Sequence, residues 1–504
     1  MAFNTIIFDN EIKIWWQYVR LLKDENFAVS INGQLFFTTK SHYNFNDLKP
    51  ETEYNLKVEI IDRVGNIVKE IGATSVKTKR KKKRLDITKP PYNAVGNGVT
   101  LDTNAIQQAI NDCAQDYLVY IPRGTYLSGA LNLKSNVEIY LEDGAILLGS
   151  TEPSDYLPKV KSRFDGWEMY CYRSLLNAGA MDNSKGCNTE NIVIRGGKIL
   201  GGGNELRKNI IKKERHRVLE EYGMINEISP HALYSSIIPG RARGRTICCS
   251  NTKNLIVANT VIGNAPAWNL HFIYCENITI CGCSVISKNI LNGDGINPDS
   301  TVNCTIFDIE FDTGDDCVSV KSGKNPEGFF IARPSKNIYI FDCLIKTGHG
   351  ISIGSEMSGG VSNVHIWNIQ IELGLGIFIK TRAKRGGYVK DVTISNCNVP
   401  VIQIGEYGCV DDGESAPEIA TVSNINVNDV ILNGIRVFIT NLNRREAVSA
   451  VSVKGLGDGN PVNNLSLKNI TLKYRSSTPY HIIGLDNVKN LSIENITCEG
   501  GFNP

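Results

Sequence analysis

Three short clusters in the second half of the chain carry the residue types that acid–base chemistry needs. Asn292-Gly293-Asp294, Gly314-Asp315-Asp316 and Gly348-His349-Gly350 stand in that order. Three carboxylates on one patch repel one another, so at least one keeps its proton near neutrality while another stays ionised. A protonated acid beside a carboxylate is what hydrolysis of a glycosidic bond uses. The first protonates the leaving oxygen and the second activates water. The same acidic turns could instead bind Ca²⁺ or stand solvated, and the residue types alone leave that open. Neighbours on a strand point to opposite faces, so Asp315 and Asp316 share a face only where the strand is broken. Gly314 is read as the residue that supplies the break.

A repeating frame must bring these clusters together. Asparagine followed by alternating aliphatics recurs as NIVI at 191, NLIV at 254, NITI at 277, NCTI at 303, NIYI at 337 and NVHI at 363. DVTI at 391, NINV at 424, NLSL at 464 and NLSI at 490 continue it. Several intervals are 23 or 26 residues, with longer ones of 34 and 40. Short strands at such a period mean coils stacked on coils, with extra residues looped out on one face. The fold expected is all-β, a right-handed parallel β-helix whose asparagines ladder at a turn. Asp294 and Asp315 are 21 residues apart, close to one coil, so the three aspartates can converge, with His349 about a coil further on.

The open end of a solenoid needs a cap. Residues 93–115 supply an amphipathic helix, with Asp102 or Thr103 as N-cap and Ala105, Ile106, Ala109 and Ile110 on one face. Two long insertions, 204–245 and the 32 residues between Asp316 and His349, are expected to wall off one side of the cleft. A walled cleft takes chain ends.

Residues 1–79 read differently, as a small β-sandwich of short strands separated by Asn, Gly and Pro turns. Of the adjacent Trp15 and Trp16, one should face its core. A basic linker, 80–91, follows, and the β-helix domain occupies 92–504. The first domain is read as a spacer or as the contact of a homo-oligomer.

Composition narrows the rest. Among 504 residues, 54 Lys and Arg stand against 52 Asp and Glu, and seven of the positives fall in KTKRKKKR at 77–84. No nucleic-acid partner is expected from that balance. No apolar run of membrane-spanning length exists, so no membrane partner is expected either. The start, MAFNTIIFDNEIKIWW, has no leader pattern, which sets cytoplasmic localisation as the expectation. The 14 cysteines are scattered without zinc-type spacing and read as core thiols; no metal or other cofactor is expected.

The three motifs, in this order and on this frame, resemble those of glycoside hydrolase family 28, the polygalacturonases, over about residues 90–500. The stretches at 93–115, 120–150, 264–271 and 354–363 are similar too, and the whole looks like a bacterial exo-type member. The resemblance implies an inverting hydrolase of pectic oligosaccharides that releases galacturonic acid. Asp315 would be the general acid, Asp294 and Asp316 would activate water, and His349 would orient the acid. Asn292 and Trp268 would bind substrate, Trp268 as a stacking wall. The family's fourth motif, Arg-x-Lys, holds a galacturonate carboxylate; here it reads Phe378-Ile379-Lys380. Lys380 is kept, but phenylalanine cannot make the bidentate fork of arginine. Phe378 could instead pack on a neutral sugar such as rhamnose, which makes a rhamnogalacturonan galacturonohydrolase the alternative. Arg382, Lys384 and Arg385 lie near enough in sequence to compensate. A pectate-lyase-like enzyme and a carbohydrate-binding β-helix are the remaining readings. Residues 48–66, LKPETEYNLKVEIIDRVGN, resemble a fibronectin type III domain, with Tyr54 as the corner tyrosine bonding back to nearby backbone.

Overall fold

The structure is a computed structural model, and it describes residues 3–223, 238–407, 413–438, 443–446, 449–457, 459–473 and 481–499. The chain divides into two compact units, Met1–Lys83 and Arg84–Pro504.

The first unit is built from antiparallel strands. Asn4–Ile7, Ile12–Trp15 and His42–Phe45 form one sheet. Gln34–Thr38, Asn26–Ile31, Glu53–Ile61 and Ile67–Lys77 form the other, in that order. One apolar cluster draws on both sheets: Ile12, Ile14 and Phe45 from the first, Phe27, Val29, Leu56 and Val58 from the second. Of the paired tryptophans, Trp16 is buried with its ring edge-on to Phe27 at 4.8 Å, while Trp15 is half-buried. The Tyr54 hydroxyl accepts a hydrogen bond from the Lys49 amide at 3.0 Å, five residues upstream.

The second unit is a parallel β-helix. Its inward column runs Ile192, Leu255, Ile278, Cys304, Ile338, Val364, Val392, Ile425 and Leu465, each paired with the next across one coil. All are buried, which is why the aliphatic alternation recurs. One residue before each stands the repeating Asn or, at 391, Asp, with φ between 55° and 59°. Short polar side chains tolerate that left-handed backbone best after glycine. Along the ladder, each Asn side chain donates to the residue in the previous coil. Asn303 donates to Asn277 at 2.9 Å, Asn337 to Asn303 at 2.7 Å and Asn363 to Asn337 at 2.7 Å. Asp391 accepts from Asn424 at 2.8 Å but has no N–H to pass back to Asn363, whose oxygen lies 2.8 Å from His365 Nε2 instead.

Helix α1 (Thr103–Asp112) covers the first coils, burying Ile106, Ala109 and Ile110 completely, with Ala105 half-buried. Asp102 occupies the N-cap position but does not cap. Its carboxylate accepts the Val95 and Gly96 amides at 2.7 and 3.0 Å, tying down the turn before the helix. Thr103 does not cap either; its Oγ1 accepts the Gly129 amide at 2.8 Å. The strand Lys83–Asp86 lies within the stretch read from sequence as linker. It joins the β-helix sheet, and its run of charge had hidden the strand pattern.

Candidate active site

The aspartates sit where strands of successive coils begin. Ile296 pairs with Val318, and the Gly295 amide donates to the Asp316 carbonyl at 2.9 Å. That register stacks Asp294 over Asp316, one residue away from the pairing that a 21-residue spacing suggests. Asp315 precedes the strand Asp316–Val320, and the ladder slips between Asp316 and Val318. The strand start and the slip let both carboxylates share a face. Gly314 serves a different need from the one read in sequence. A Cβ there would stand 2.4 Å from the Ile290 carbonyl and 2.8 Å from that of Ser287, so glycine admits the close approach of the 287–290 turn. The next coil brings in His349, whose amide donates to the Asp315 carbonyl at 2.9 Å.

Each carboxylate has a different set of partners. His349 Nδ1 lies 2.9 Å from Asp315 Oδ1 and 4.0 Å from Asp316 Oδ1. Asp316 Oδ2 accepts from Lys380 at 3.0 Å and Oδ1 from Ser352 at 2.8 Å. Among the described residues Asp294 Oδ2 has only Lys321, at 3.9 Å, and that ammonium is closer to Glu356, at 2.9 Å. Burial, followed by the charge of Asp315, therefore pushes the Asp294 carboxyl well above its usual range; Lys321 opposes this without reversing it. Burial acts on Asp315 the same way, but the hydrogen bond and charge of His349, with Lys380 behind them, outweigh it and hold that carboxyl below its usual range. Burial would lower the His349 imidazole, and Asp315 outweighs it and raises it. The ligand atoms of Asp315, Asp316 and His349 lie within 4.8 Å of one another, a spacing a metal ion could use. His349 and Lys380 already supply cationic partners there.

The other residues named from sequence divide. Lys380 joins the cluster. Asn292 stands at its edge, its Oδ1 accepting from Arg243 Nη2 at 2.9 Å. Phe378 faces outward between the inward Ile377 and Ile379, one coil beyond Ser352, and packs on Val401 and Leu375. Trp268 is not an open stacking wall. It is 3% exposed, its ring stacked on Phe164 at 4.9 Å, with Arg245 at 4.9 Å and Lys321 at 4.7 Å over it. Arg382 is half-buried and leads into the turn Ala383–Arg385. Arg385 is fully buried and donates to Asn325 Oδ1, so it does not replace the missing arginine.

Sequence reading missed the roof of the site. The hairpin of Val160–Phe164 and Trp167–Cys171 lies over the outward face. Its Arg163 bonds Asp299 Oδ1 at 2.6 Å, and Asp299 Oδ2 lies 3.1 Å from His271 Nε2. Burial, against the pull of Asp299, lowers the His271 imidazole to about 4. Beneath the hairpin and the Arg243–Arg245 segment, His271, Asn297, Asp299, Ser319 and Ser352 are all 0% exposed. Among the described residues, the 204–245 insertion reaches the 287–292 turn through Asn204, whose amide donates to the Asn289 carbonyl at 2.8 Å, and through Arg243 on Asn292; helix α2 (Gly203–Tyr222) also packs on Tyr156 and Tyr172. The other insertion supplies Asn325, whose carbonyl accepts from Trp167 Nε1 at 3.2 Å. The opening lies on the other side, where the side chains of Asp315, His349 and Lys380 are 26%, 32% and 24% exposed. The hairpin carries no repeat, and Arg163 and Asp299 are 136 residues apart, so periodicity could not find the contact.

The profile described as "Glycosyl hydrolases family 28" matches residues 235–498, and one described as "Rhamnogalacturonase A/epimerase, pectate lyase-like" matches residues 91–141. A "Probable polygalacturonase" of Vitis vinifera is 29% identical over 368 residues, 68% of each chain. The "Exo-poly-alpha-D-galacturonosidase" of Dickeya chrysanthemi is 27% identical over 69% of this chain, which spans 60% of that protein. Among solved structures, the family 28 exopolygalacturonase of Yersinia enterocolitica superposes with a TM-score of 0.76 at 22% identity, covering 99% of this chain and 96% of that one. A hyperthermoactive exopolygalacturonase from Thermotoga maritima gives 0.66 at 26% identity, covering 83% and 92%.

Proposed function

The chain is a member of the glycosyl hydrolases family 28, and from that premise we propose that it is an exo-acting, inverting hydrolase that releases galacturonic acid from the ends of pectic oligosaccharides. One observation carries the exo reading: the 160–171 hairpin closes through Arg163 onto the buried Asp299, while the side chains of Asp315, His349 and Lys380 stay partly exposed. A pocket closed beyond the scissile bond admits a chain end. The relatives described as exo-acting support the same reading.

Asp315 is the general acid. At rest its carboxyl is ionised against a raised His349, so the pair holds one proton across the 2.9 Å contact. A leaving oxygen placed at Asp315 takes that proton through the pair. Asp316, fixed by Lys380 and Ser352, and Asp294 stacked above it receive the water. Asp294 contributes as a base once it is ionised, which its raised affinity for a proton opposes and Lys321 assists.

Phe378 favours a second reading, in which the leaving sugar is neutral and the substrate is a rhamnogalacturonan end. The first unit is proposed as a fibronectin type III-like spacer or oligomer contact, a reading the Tyr54–Lys49 bond supports. A cytoplasmic location fits the cysteines, which are free thiols among the described residues and mostly buried.

Incubation with defined oligogalacturonides and rhamnogalacturonan oligosaccharides, with products identified by mass and linkage, tests the function. Exo action requires monomer from the first turnover and a slow fall in polymer viscosity relative to reducing ends. An early collapse of viscosity would reject it.

A further inference from the structure

Cations buried at this face mostly answer a carboxylate. Arg163 meets Asp299 at 2.6 Å, Lys321 meets Glu356 at 2.9 Å, Lys380 meets Asp316 at 3.0 Å and Arg241 meets Asp165 at 2.9 Å. Arg243 does not. It is 4% exposed, yet among the described residues its guanidinium has only neutral acceptors. These are Gly240 O at 2.5 Å, Pro266 O at 3.1 Å, Leu291 O at 3.4 Å and Asn292 Oδ1 at 2.9 Å. Asp165 and Asp294 act on it only through space, and Arg207 and Arg245 repel it. Arg245 is in the same position: it is 1% exposed, and among the described residues its guanidinium bonds only the Arg243 and Arg163 carbonyls. A guanidinium held out of water without a counter-ion is costly unless an anion arrives.

The donor arithmetic says what kind of anion. Arg243 has five N–H groups and the four contacts use four, leaving one on Nη2. Asn292 spends its oxygen on Arg243, which turns its amide NH₂ away as a donor with no partner among the described residues. Two adjacent donors, one of them charged, match the two oxygens of a carboxylate. Asn292 is half-buried and lies two residues before Asp294, so these donors border the pocket. Lys380 and Phe378 lie on coils at the other side of the aspartates along the stack.

We infer that Arg243 and Asn292 anchor the carboxylate of the sugar on the non-leaving side, so that selection for a uronate resides there. The inference rests on the galacturonate reading above and deepens it. It also separates two specificities, with the held sugar read by Arg243 and the leaving sugar by the Phe378–Lys380 strand.

The test is kcat/KM for digalacturonate against the same disaccharide with galactose at the non-reducing end. The parent enzyme prefers the uronate, and Arg243→Gln lowers that preference by about tenfold to a hundredfold, the worth of a charged hydrogen bond. A purely structural arginine would lower both substrates alike and leave the ratio where it was, which would overturn the inference. A parent enzyme that takes both ends equally would overturn it too. If the glutamine variant fails to fold, the ratio is measured on Arg243→Lys, which keeps the charge, and on Asn292→Leu, which removes the second donor. The lysine variant should keep most of the preference and the leucine variant should lose part of it. A parent enzyme inactive on every oligogalacturonide, but active elsewhere, would remove the galacturonate reading itself.

Discussion

Two turns of the same coils behave in opposite ways. At the ladder turn, one residue type, one φ and one hydrogen bond recur from coil to coil, from Asn277 through Asn303 to Asn337 and Asn363. At the catalytic turn nothing recurs. Asp294, Asp316 and Gly350 succeed one another on adjacent coils, the ladder slips, and a neighbouring glycine makes room for a passing backbone. Repetition holds the coils in register, and that rigidity lets the other turn hold three carboxylates in surroundings that differ. The ladder turn is about stability and the catalytic turn about chemistry, and substitutions at each should separate the two.

The largest effect is expected at the catalytic turn. Asp315→Asn should lower kcat by about 10²- to 10⁴-fold, the usual share of general acid catalysis, with the unfolding temperature little changed. Steady-state rates and thermal unfolding on the same sample check it. Activity within a few-fold of the parent would break the assignment.

The next effect concerns the leaving side. Phe378→Arg restores a charged donor one coil beyond Ser352, worth about 1.5–3 kcal/mol to a carboxylate-bearing sugar. The ratio of kcat/KM for oligogalacturonide over a rhamnose-containing substrate should rise accordingly. No change in that ratio would show that Phe378 does not read the leaving sugar.

At the ladder turn the signs reverse. Asn337→Ala forces a Cβ without a polar tip to hold a φ of 58° and removes two ladder bonds. It should cost about 1–2 kcal/mol of stability from the backbone alone. Denaturant unfolding measures this, and kcat should stay near that of the parent. A large loss of kcat would mean that the two turns are coupled.

A smaller effect joins the two properties in one residue. A carboxyl whose folded affinity for a proton is raised weakens folding above its unfolded pKa, near 3.9, and the penalty grows as pH rises toward the folded value. Asp294→Asn should therefore raise the unfolding temperature at pH 7, raise it less at pH 5 and leave it unchanged below about pH 4. Melting curves across that range decide it. A variant less stable at pH 7 would mean that Lys321 governs Asp294 after all.

The same contrast explains what is legible in the sequence alone. The column through Ile278, Cys304 and Ile338 was legible because burial repeats with the coil. The aspartates and His349 were legible as motifs, although their stacking was off by one residue, since a slipped ladder leaves no trace in spacing. Trp268 was misread because an aromatic beside the site looks the same whether Phe164 covers it or a sugar does. Arg243 went unnoticed because the sequence does not show that a buried arginine lacks a carboxylate partner.

The ladder also has a seam. Between Asn363 and Asp391 this column has no side-chain amide bridge, because a carboxylate cannot donate, although the Asn396 amide still donates to Asn368 at 2.8 Å across the same two coils and the backbone pairing of Val364 with Val392 continues. In a one-dimensional array, stability is a sum over neighbouring interfaces, and the array parts at the weakest. One missing hydrogen bond, about 1 kcal/mol, shifts the population of a frayed state about fivefold. The seam falls just past the strand that carries Lys380, so thermal fraying that starts at the far end has a place to stop before it reaches the aspartates.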